Sequence, residues 1–276
     1  GAVYKCQNKD IIEYRKASYI LGELKDINAH CDLEDERVKV YCQPVLNTRT
    51  NRFASAEALM RLELPETGMV YPDQFIPMAE RHDYIHTLSK IILNKTCRQI
   101  KRLEQEGYQI DRVSVNFSIL EFRRKEFCKD VMDIIRQNEI PYEKVAIELT
   151  ESWNETEFDN IKNTITSLQK LGIKFYLDDF GTGYSNFERI IGLPIDVIKF
   201  DRSLTILAGK NAESRYMVGS FSDIFKNSHY EILFEGVENE KDEDQCKQMN
   251  ALYLQGYKYS KPIPIEELTR FLGRAV

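Results

Sequence analysis

The sequence predicts an α/β protein: a (β/α)8 barrel of the TIM type preceded by an amphipathic helix. Eight short apolar runs alternate with longer segments in which apolar residues recur at helical spacing. A chain of 276 residues is long enough for one such barrel without a second core. The sequence contains no internal repeat or low-complexity tract that would indicate a solenoid.

The first segment, residues 1–36, has a helical pattern. Its apolar residues at helical spacing are Ile11, Ile12, Tyr14, Ala17, Ile20, Leu21 and Leu24. We therefore predict two parts, a helical linker or connector at 1–36 and a barrel at 37–276. The helix either packs on the barrel or connects it to a regulatory domain, and the sequence does not separate these alternatives.

The remaining elements follow in order. Strands are predicted at 38–42, 53–59, 113–116, 145–149, 174–178, 197–200, 231–234 and 253–254. Helices are predicted at 85–103, 124–138, 158–171, 214–226 and 266–272.

The composition is that of an ordinary globular protein, with 42% hydrophobic and 30% charged residues. No run of about 18 apolar residues predicts a membrane span, and the six cysteines form no Cys-x-x-Cys pair. We expect reduced thiols and a cytoplasmic location, including the cytoplasmic portion of a larger membrane-attached protein. A net charge of −6 disfavours a long nucleic acid as partner, but a small phosphorylated ligand held through metal ions is compatible with it.

Polar residues gather where the predicted strands end. The apolar run at 175–177 stops at Asp178 and Asp179, and unpaired carboxylates are too costly to bury in a core. The C-terminal ends of barrel strands converge on one mouth. The residues at these ends are Glu57, Asn116, Glu148, Asp178, Asp179, Lys199 and Glu235.

Oxygen ligands without histidine or cysteine suit hard cations such as Mg²⁺ or Mn²⁺. So many carboxylates exceed the needs of one ion, which favours two ions that activate water for attack on a phosphodiester. Asp178 is the natural bridge between them. Lys199 could orient the water or help to deprotonate it, and Arg61 could hold a phosphate oxygen.

Each of these features also has a purely structural interpretation. A lone Glu57 or Glu148 is more often a salt-bridged residue than a ligand. The two aspartates could form a turn before Gly181. His82 and His86 stand four residues apart but lack the intervening glutamate of a zinc motif, so we expect a structural role. We expect the single tryptophan, Trp153, to pack near the mouth.

Taken together, these motifs resemble the EAL domain, a bacterial signalling module that hydrolyses cyclic di-GMP. The signature itself is Glu57-Ala58-Leu59, and the resemblance runs from about Val38 to the C-terminus. The other matching segments are YCQP at 41–44, FIPMAE at 75–80, SVNFS at 114–118, ELTE at 148–151, DDFGTGYS at 178–185, LPID at 193–196, KFD at 199–201, EGVE at 235–238 and QGY at 255–257.

This resemblance implies a modified (β/α)8 barrel whose first strand is antiparallel to its neighbours. It also implies hydrolysis of cyclic di-GMP to linear pGpG with two Mg²⁺ or Mn²⁺ ions, and inhibition by Ca²⁺. The implied partners are cyclic di-GMP, a second copy of the chain in a homodimer, and an N-terminal sensor or GGDEF-type domain in the longer protein.

The resemblance also assigns roles to individual residues. The first ion would be bound by Glu57, Asn116, Glu148 and Asp178, and the second by Asp178, Asp179 and Glu235. The implied catalytic residues are Glu57, Lys199, which contacts the water, and Glu235, the general base. Substrate binding and the water network would involve Gln43, Arg61, Asp201, Gln255 and Glu238. Glu151 would steady the loop after Asp179.

Four positions depart from the family pattern without removing a ligand: Asp83, Phe187, Phe234 and Asn239. Phe234 replaces a usual alanine beside Glu235, and we expect it to be the departure most able to crowd that strand and reduce activity. Two alternatives to the enzyme stay open: a receptor that binds cyclic di-GMP without cleaving it, and a structural domain that binds no nucleotide.

Overall fold

Eight strands close into a barrel in the computed structural model, which describes residues 8–150, 158–182, 190 and 192–274. The strands of the sheet are β1 (Val38–Asn47), β2 (Arg52–Leu64), β3 (Gly68–Val70), β4 (Arg112–Asn116), β5 (Val145–Thr150), β6 (Lys174–Phe180), β7 (Val197–Phe200), β8 (Glu231–Phe234), β9 (Tyr253–Leu254) and β10 (Ile263–Pro264). The barrel runs β1, β9, β8, β7, β6, β5, β4, β2 and back to β1, while β3 and β10 extend the sheet.

The first strand, β1, is antiparallel to both of its barrel neighbours, β2 and β9. All other neighbouring strands of the closed ring are parallel. This confirms the eight predicted strands and the antiparallel first strand. The strand register alone places Gln43 opposite Glu57 and Asn116 opposite Glu148.

The helices pack around this barrel. They are α1 (Asn8–His30), α2 (Pro72–Arg81), α3 (Ile85–Gln105), α4 (Phe127–Gln137), α5 (Phe158–Gln169), α6 (Arg202–Lys210), α7 (Ala212–Asn227) and α8 (Glu240–Gln248). Within the described residues, three short 3₁₀ helices span Ile119–Arg123, Tyr142–Lys144 and Ile265–Arg270.

Several elements differ from the sequence prediction. The predicted helix at 266–272 is a 3₁₀ helix that ends at Arg270. Helix α6 was not predicted, and it is separated from α7 by Asn211, whose side chain caps α7 by accepting from Ser214 N at 2.8 Å. Helix α8 was missed because its sequence, EKDEDQCKQ, is almost entirely polar and offers no apolar period.

The C-terminal half of helix α1 packs against the barrel, whereas apolar residues nearer its N-terminus are exposed. Ile20, Leu24 and Ile27 are buried in the same core as the barrel strands, whereas Ile12 and Tyr14 are exposed. The prediction of a domain boundary at residue 36 stays a prediction. None of the described helices is both long and apolar enough to cross a bilayer.

The inside of the barrel is packed directly below the mouth. A separate buried cluster is formed by Val45, Ala146, Tyr176, Val197 and Leu233. Side chains alternate along a strand, so the position two residues further on each parallel strand faces the same way. Those positions are held by Glu148, Asp178, Lys199 and Glu235. Because side chains alternate along β5 to β8, these strands place a layer of apolar side chains inside the barrel and a layer of charged side chains above it, at the mouth.

Phe234 faces the layer between barrel and helices. Its side chain is fully buried in the main core, and its ring centroid lies 4.7 Å from that of Phe200. Phe200 in turn contacts Phe180 and Phe225. Because side chains alternate along a strand, the ring lies on the side of β8 opposite to Glu235. The expected crowding of the strand and its effect on activity stay a prediction.

Candidate metal centre at the barrel mouth

A buried ammonium group lies at the centre of the site. Lys199, on β7, is 1% exposed. Its Nζ atom lies 2.5 Å from Glu148 Oε2, 2.8 Å from Asp178 Oδ1, 2.9 Å from Glu235 Oε1 and 3.3 Å from Glu57 Oε2. Four strands that are far apart in sequence thus bring their carboxylates to one cation, as predicted from their ends.

The carboxylates form two groups that share one residue. Oxygen atoms of Glu57, Glu148 and Asp178 lie within 4.8 Å of one another, and so do those of Asp178, Asp179 and Glu235. The shared residue is Asp178, the position that the sequence indicated as a bridge. Each group offers only hard oxygen ligands, the type that Mg²⁺ and Mn²⁺ prefer.

An unusual backbone conformation lets two adjacent aspartates face the same centre. Successive side chains of a regular strand point to opposite faces. Asp179 has φ of 59°, in the left-handed region, and the pairing of β6 with β7 shifts register between Leu177 and Phe180. Asparagine and aspartate tolerate this region better than most residues. The break in alternation therefore brings Asp179 into the second carboxylate group.

The amide side chains of Asn116 and Gln255 donate hydrogen bonds to the carboxylate of Glu57. Asn116 Nδ2 donates to Glu57 Oε1 at 2.8 Å, and Gln255 Nε2 donates to Glu57 Oε2 at 2.7 Å. Gln255 Nε2 also lies 3.0 Å from Gln43 Oε1, and Gln43 Nε2 donates to the Ser260 carbonyl at 2.9 Å. Both oxygens of Glu57 are thereby oriented, which fixes the direction in which it can offer a lone pair.

Burial and charge repulsion shift the pKa values of the acidic groups. Burial, reinforced by the charge of Glu57, raises the pKa of Glu148 well above its usual range although Lys199 opposes the shift. Burial raises the pKa of Glu235 to about 8, again against the effect of Lys199. Burial and the neighbouring Asp178 raise the pKa of Asp179 to about 6.

The other two central groups shift in the direction that favours their charged forms. Burial alone would raise the pKa of Glu57, but Lys199, Gln255 and Asn116 lower it overall. Burial alone would lower the pKa of Lys199, but the surrounding carboxylates raise it well above its ordinary value. One ammonium group thus stabilises Glu57 while leaving Glu148 and Glu235 short of positive charge.

Divalent cations fit this donor set. Five carboxylates form the two groups, four of them contact the ammonium of Lys199, and Glu148 Oε1 is buried without a hydrogen-bond partner in the described part of the chain. A buried acceptor of this kind costs free energy unless a donor or a cation satisfies it. The unsatisfied oxygen of Glu148 and the raised pKa values of Glu148, Glu235 and Asp179 both indicate that the site can accept additional positive charge.

Arg61 lies at the edge of the site between two aromatic rings. Its guanidinium carbon is 5.3 Å from the ring centroid of Tyr71 and 5.7 Å from that of Tyr41, and Nη1 donates to the Met60 carbonyl at 2.8 Å. Burial lowers the pKa of Arg61, although nearby Tyr71 and Glu57 oppose the shift. The rings orient the guanidinium, and Tyr71 was not singled out from sequence because it lies outside the charged motifs.

Two cavities open beside the carboxylates. One, of about 570 Å³, reaches from Asn116, Asp178 and Asp179 to apolar residues that include Ile76 and Leu120. A smaller cavity, of about 190 Å³, is lined by residues that include Glu57, Glu235, Gln255, Glu238 and Tyr257. The site can therefore admit a ligand with both charged and apolar parts.

The remaining residues predicted for the site lie at its edge or outside the described residues. Asp201 Oδ1 caps α6 by accepting from Ser203 N at 2.8 Å, so a cap is the role that its contacts show. Glu238 pairs with Arg202 at 2.5 Å beside the smaller cavity. Arg202 was missed, although its position directly after the Lys199-Phe200-Asp201 motif offered a signal. Glu151 and Trp153 lie outside the described residues.

The two histidines singled out in the sequence do not form a pair. The His82 ring stacks on Tyr84, with centroids 5.8 Å apart, whereas His86 Nε2 lies 2.8 Å from Asp130 Oδ2. Their separate partners agree with the structural role expected for them.

Comparisons with known proteins agree on the family. The model of the EAL domain family matches residues 27–262. The cyclic di-GMP phosphodiesterase PdeL of Escherichia coli is 31% identical over 84% of this chain and 64% of its own length. The signaling protein YkoW of Bacillus subtilis is 27% identical over 98% of this chain, which spans only 34% of YkoW.

A solved structure supports the same relationship. The chain superposes on a structure described as the PaMucR phosphodiesterase in complex with c-di-GMP with a TM-score of 0.80 and 26% identity, covering 89% of this chain and 99% of that one. An EAL domain protein from Listeria monocytogenes superposes with a TM-score of 0.75 at 23% identity, over 86% of this chain and 93% of the other, a likeness of fold.

Proposed function

The chain belongs to the EAL domain family, and from that premise we propose that it is a phosphodiesterase that hydrolyses cyclic di-GMP to linear pGpG with two divalent cations. The observation that carries this proposal is the pair of carboxylate groups that share Asp178. A single structural ion pair with Lys199 would need one carboxylate, not five. Relatives named as cyclic di-GMP phosphodiesterases support the choice of substrate.

The proposed ligands are the residues already described. Glu57, Asn116, Glu148 and Asp178 would hold one ion, and Asp178, Asp179 and Glu235 the other. When bound, Mg²⁺ or Mn²⁺ ions neutralise phosphate charge and make a bound water more acidic. Both favour six oxygen ligands, whereas the larger Ca²⁺ takes longer bonds and up to eight ligands. We therefore expect Ca²⁺ to occupy the site and inhibit.

The chain's own groups would organise the attacking water and the substrate. Lys199 Nζ has three N–H donors, and it would hold a water by turning one of them from a carboxylate to that water. Glu235, 2.9 Å from Lys199 Nζ, is positioned to accept the proton of such a water. Arg61, oriented by its two tyrosine rings, would donate to a phosphate oxygen of the substrate.

The decisive experiment compares two glutamates on the same strand. We predict that Glu57→Ala abolishes turnover, measured as pGpG formed from cyclic di-GMP in Mn²⁺, because it removes a buried ligand held by two amides. Glu63→Ala is the matched control, since Glu63 is exposed on β2 and pairs with Lys39 at 3.2 Å. Its activity should equal that of the wild type.

The outcomes separate the proposed enzyme from its alternatives. Turnover by Glu57→Ala at the wild-type rate would contradict the metal assignment. Tight binding of cyclic di-GMP by the wild-type protein without any pGpG would favour a receptor, and absence of both would remove the nucleotide as a ligand. Calorimetric titration with cyclic di-GMP in Ca²⁺ measures binding independently of turnover.

We further propose that the barrel works as a homodimer and that the longer protein carries an N-terminal sensor or GGDEF-type domain. The length of a relative supports the further domain, since this chain spans about a third of YkoW. Sedimentation velocity with and without Mn²⁺ tests the dimer.

A further inference from the structure

Beside the metal centre lies a buried acidic residue, Glu121, that the proposed mechanism does not use. It belongs to the 3₁₀ helix that follows β4 and is 1% exposed. Burying a carboxylate is costly, and an apolar side chain of the same size would avoid that cost. The contacts of the Glu121 side chain therefore indicate why an acidic residue occupies this position.

The carboxylate of Glu121 holds the segment that carries Asn116. Glu121 Oε2 accepts from the backbone N–H of Ser118 at 3.1 Å and from Ser89 Oγ, on α3, at 2.8 Å. Ser118 Oγ also accepts from Leu120 N at 3.3 Å, which completes a capping box. The chain two residues beyond Asn116 is thus fixed to a buried carboxyl group.

The other side of the same segment is fixed to β5. The backbone N–H of Phe117 donates to the Glu148 carbonyl at 3.0 Å, and the Asn116 side chain donates to Glu57 at 2.8 Å. Three consecutive residues, 116 to 118, are therefore held by Glu57, Glu148 and Glu121 in turn. Glu121 is the only one of these three anchors that lies outside the two carboxylate groups.

His86 links this anchor to the surrounding helices. Its Nδ1 atom lies 3.5 Å from Glu121 Oε1, and its Nε2 atom lies 2.8 Å from Asp130 Oδ2 on α4. Lys90 Nζ, also on α3, is 3.8 Å from the same Asp130 oxygen. The imidazole thus connects Glu121 with α3 and α4, which explains the histidine that the sequence singled out.

We infer that Glu121, supported by His86, is a positioning residue for Asn116 and hence for the first metal ion. The inference rests on the proposed metal site. Partners that orient ligands are worth about 10-fold to 100-fold in metal affinity in other proteins. Removing the Glu121 carboxylate frees the backbone N–H of Ser118 and lets the side-chain amide of Asn116 leave the direction set by Glu57.

The test measures Mn²⁺ binding by calorimetry without nucleotide. We expect Glu121→Met, which keeps the volume but removes the acceptor, to weaken Mn²⁺ binding by about 10-fold or more. Glu121→Gln keeps an oxygen for Ser118 and Ser89 and should bind Mn²⁺ like the wild type.

The matched control is Asp196→Leu. Asp196 Oδ2 also accepts a backbone N–H, that of Phe175 at 2.9 Å, and its other oxygen pairs with Lys174, but it lies before β7 at the opposite end of the barrel. It should lower the melting temperature without changing the dissociation constant for Mn²⁺. A purely structural role for Glu121 would give the two variants the same behaviour.

Each outcome decides the inference. Wild-type Mn²⁺ affinity in folded Glu121→Met overturns it, and so does an equal loss of affinity in Asp196→Leu. Where Glu121→Met does not fold, His86→Leu replaces it, and unchanged Mn²⁺ affinity there has the same meaning. Mn²⁺ binding without hydrolysis in the wild type would refute the proposed activity alone, whereas a wild type that binds no Mn²⁺ refutes both proposals.

Discussion

Replacing Lys199 by methionine tests the electrostatic description of the site. The substitution keeps a long apolar chain in the 1% exposed position and removes the one ammonium that four carboxylates contact at 2.5 to 3.3 Å. The carboxylates are then left with no compensating charge at the centre. The carboxylates must then take up protons or bind another cation in place of the ammonium; otherwise the native state becomes less stable.

The expected loss is large for one substitution. Breaking a buried charge pair on one side typically costs about 3–5 kcal/mol. A domain of this size loses roughly 2–4 °C of melting temperature per kcal/mol, so Lys199→Met should lose about 6–20 °C without divalent cations. Without Lys199, which opposes the shift, the pKa values of Glu148 and Glu235 rise further above their unfolded values. Protons then bind preferentially to the native state, so the loss should grow as the pH rises from about 6 to about 8.5.

Divalent cations should reverse the effect. Mn²⁺ at about 100 times its dissociation constant adds roughly 2.7 kcal/mol, and removal of a competing cation should tighten its binding. We therefore expect Mn²⁺ to raise the melting temperature of Lys199→Met more than that of the wild type, without restoring turnover.

Thermal unfolding in chelator and in Mn²⁺, at several pH values, measures each part of this prediction. Lys95→Met is the control, because Lys95 is half-buried and its ammonium bonds the carbonyls of Asp35 and Val38 at 2.6 and 2.7 Å. It should show neither the pH slope nor the Mn²⁺ rescue. A Lys199→Met protein as stable as the wild type in chelator, with the same response to Mn²⁺, would refute the reasoning.

Three further predictions follow from contacts elsewhere. Arg61→Ala should raise the KM for cyclic di-GMP more than it lowers kcat, because the proposed role of this guanidinium, which lies between two tyrosine rings, is to hold a phosphate oxygen of the substrate; an unchanged KM in steady-state kinetics would argue against this. Phe234→Ala should cost about 3–5 kcal/mol in denaturant unfolding by leaving a cavity beside Phe200, and a neutral effect would mean that the ring is not core. Burial alone would raise the pKa of Asp35, but its contacts with Arg37 lower it overall, so Asp35→Asn should lose about 1.5–3 kcal/mol at neutral pH. That difference should shrink as the pH falls below about 4, and a constant difference in acid would contradict the assignment.

The strands and their terminal residues were predictable because both rest on local patterns. An apolar run that stops at a carboxylate indicates a strand and locates its end to within two residues, as at Asp178 in β6 and Glu148 in β5. Once the strands form a barrel, their ends meet without any further information. That is why Glu57, Asp178 and Glu235, separated by more than 50 residues from each other, were expected in one place.

Other parts of the site had no local signal. The left-handed conformation of Asp179 depends on the register shift between β6 and β7, which no pattern of neighbours encodes. The tyrosines around Arg61 and the anchor at Glu121 are ordinary residues in sequence, and their partners come from other elements. Helix α8 escaped notice for the opposite reason, since it has almost no apolar residues to reveal its face.

The sequence by itself determined the barrel, the mouth where the charges gather and the hard-oxygen character of its ligands, because periodicity and residue type are properties of short segments. Only the tertiary structure decided that Lys199 contacts four of the carboxylates and that Asp178 belongs to both groups. It also decided that Phe234 faces away from Glu235. Distances between residues of different strands depend on register and closure, and these are set by the packing of the whole barrel.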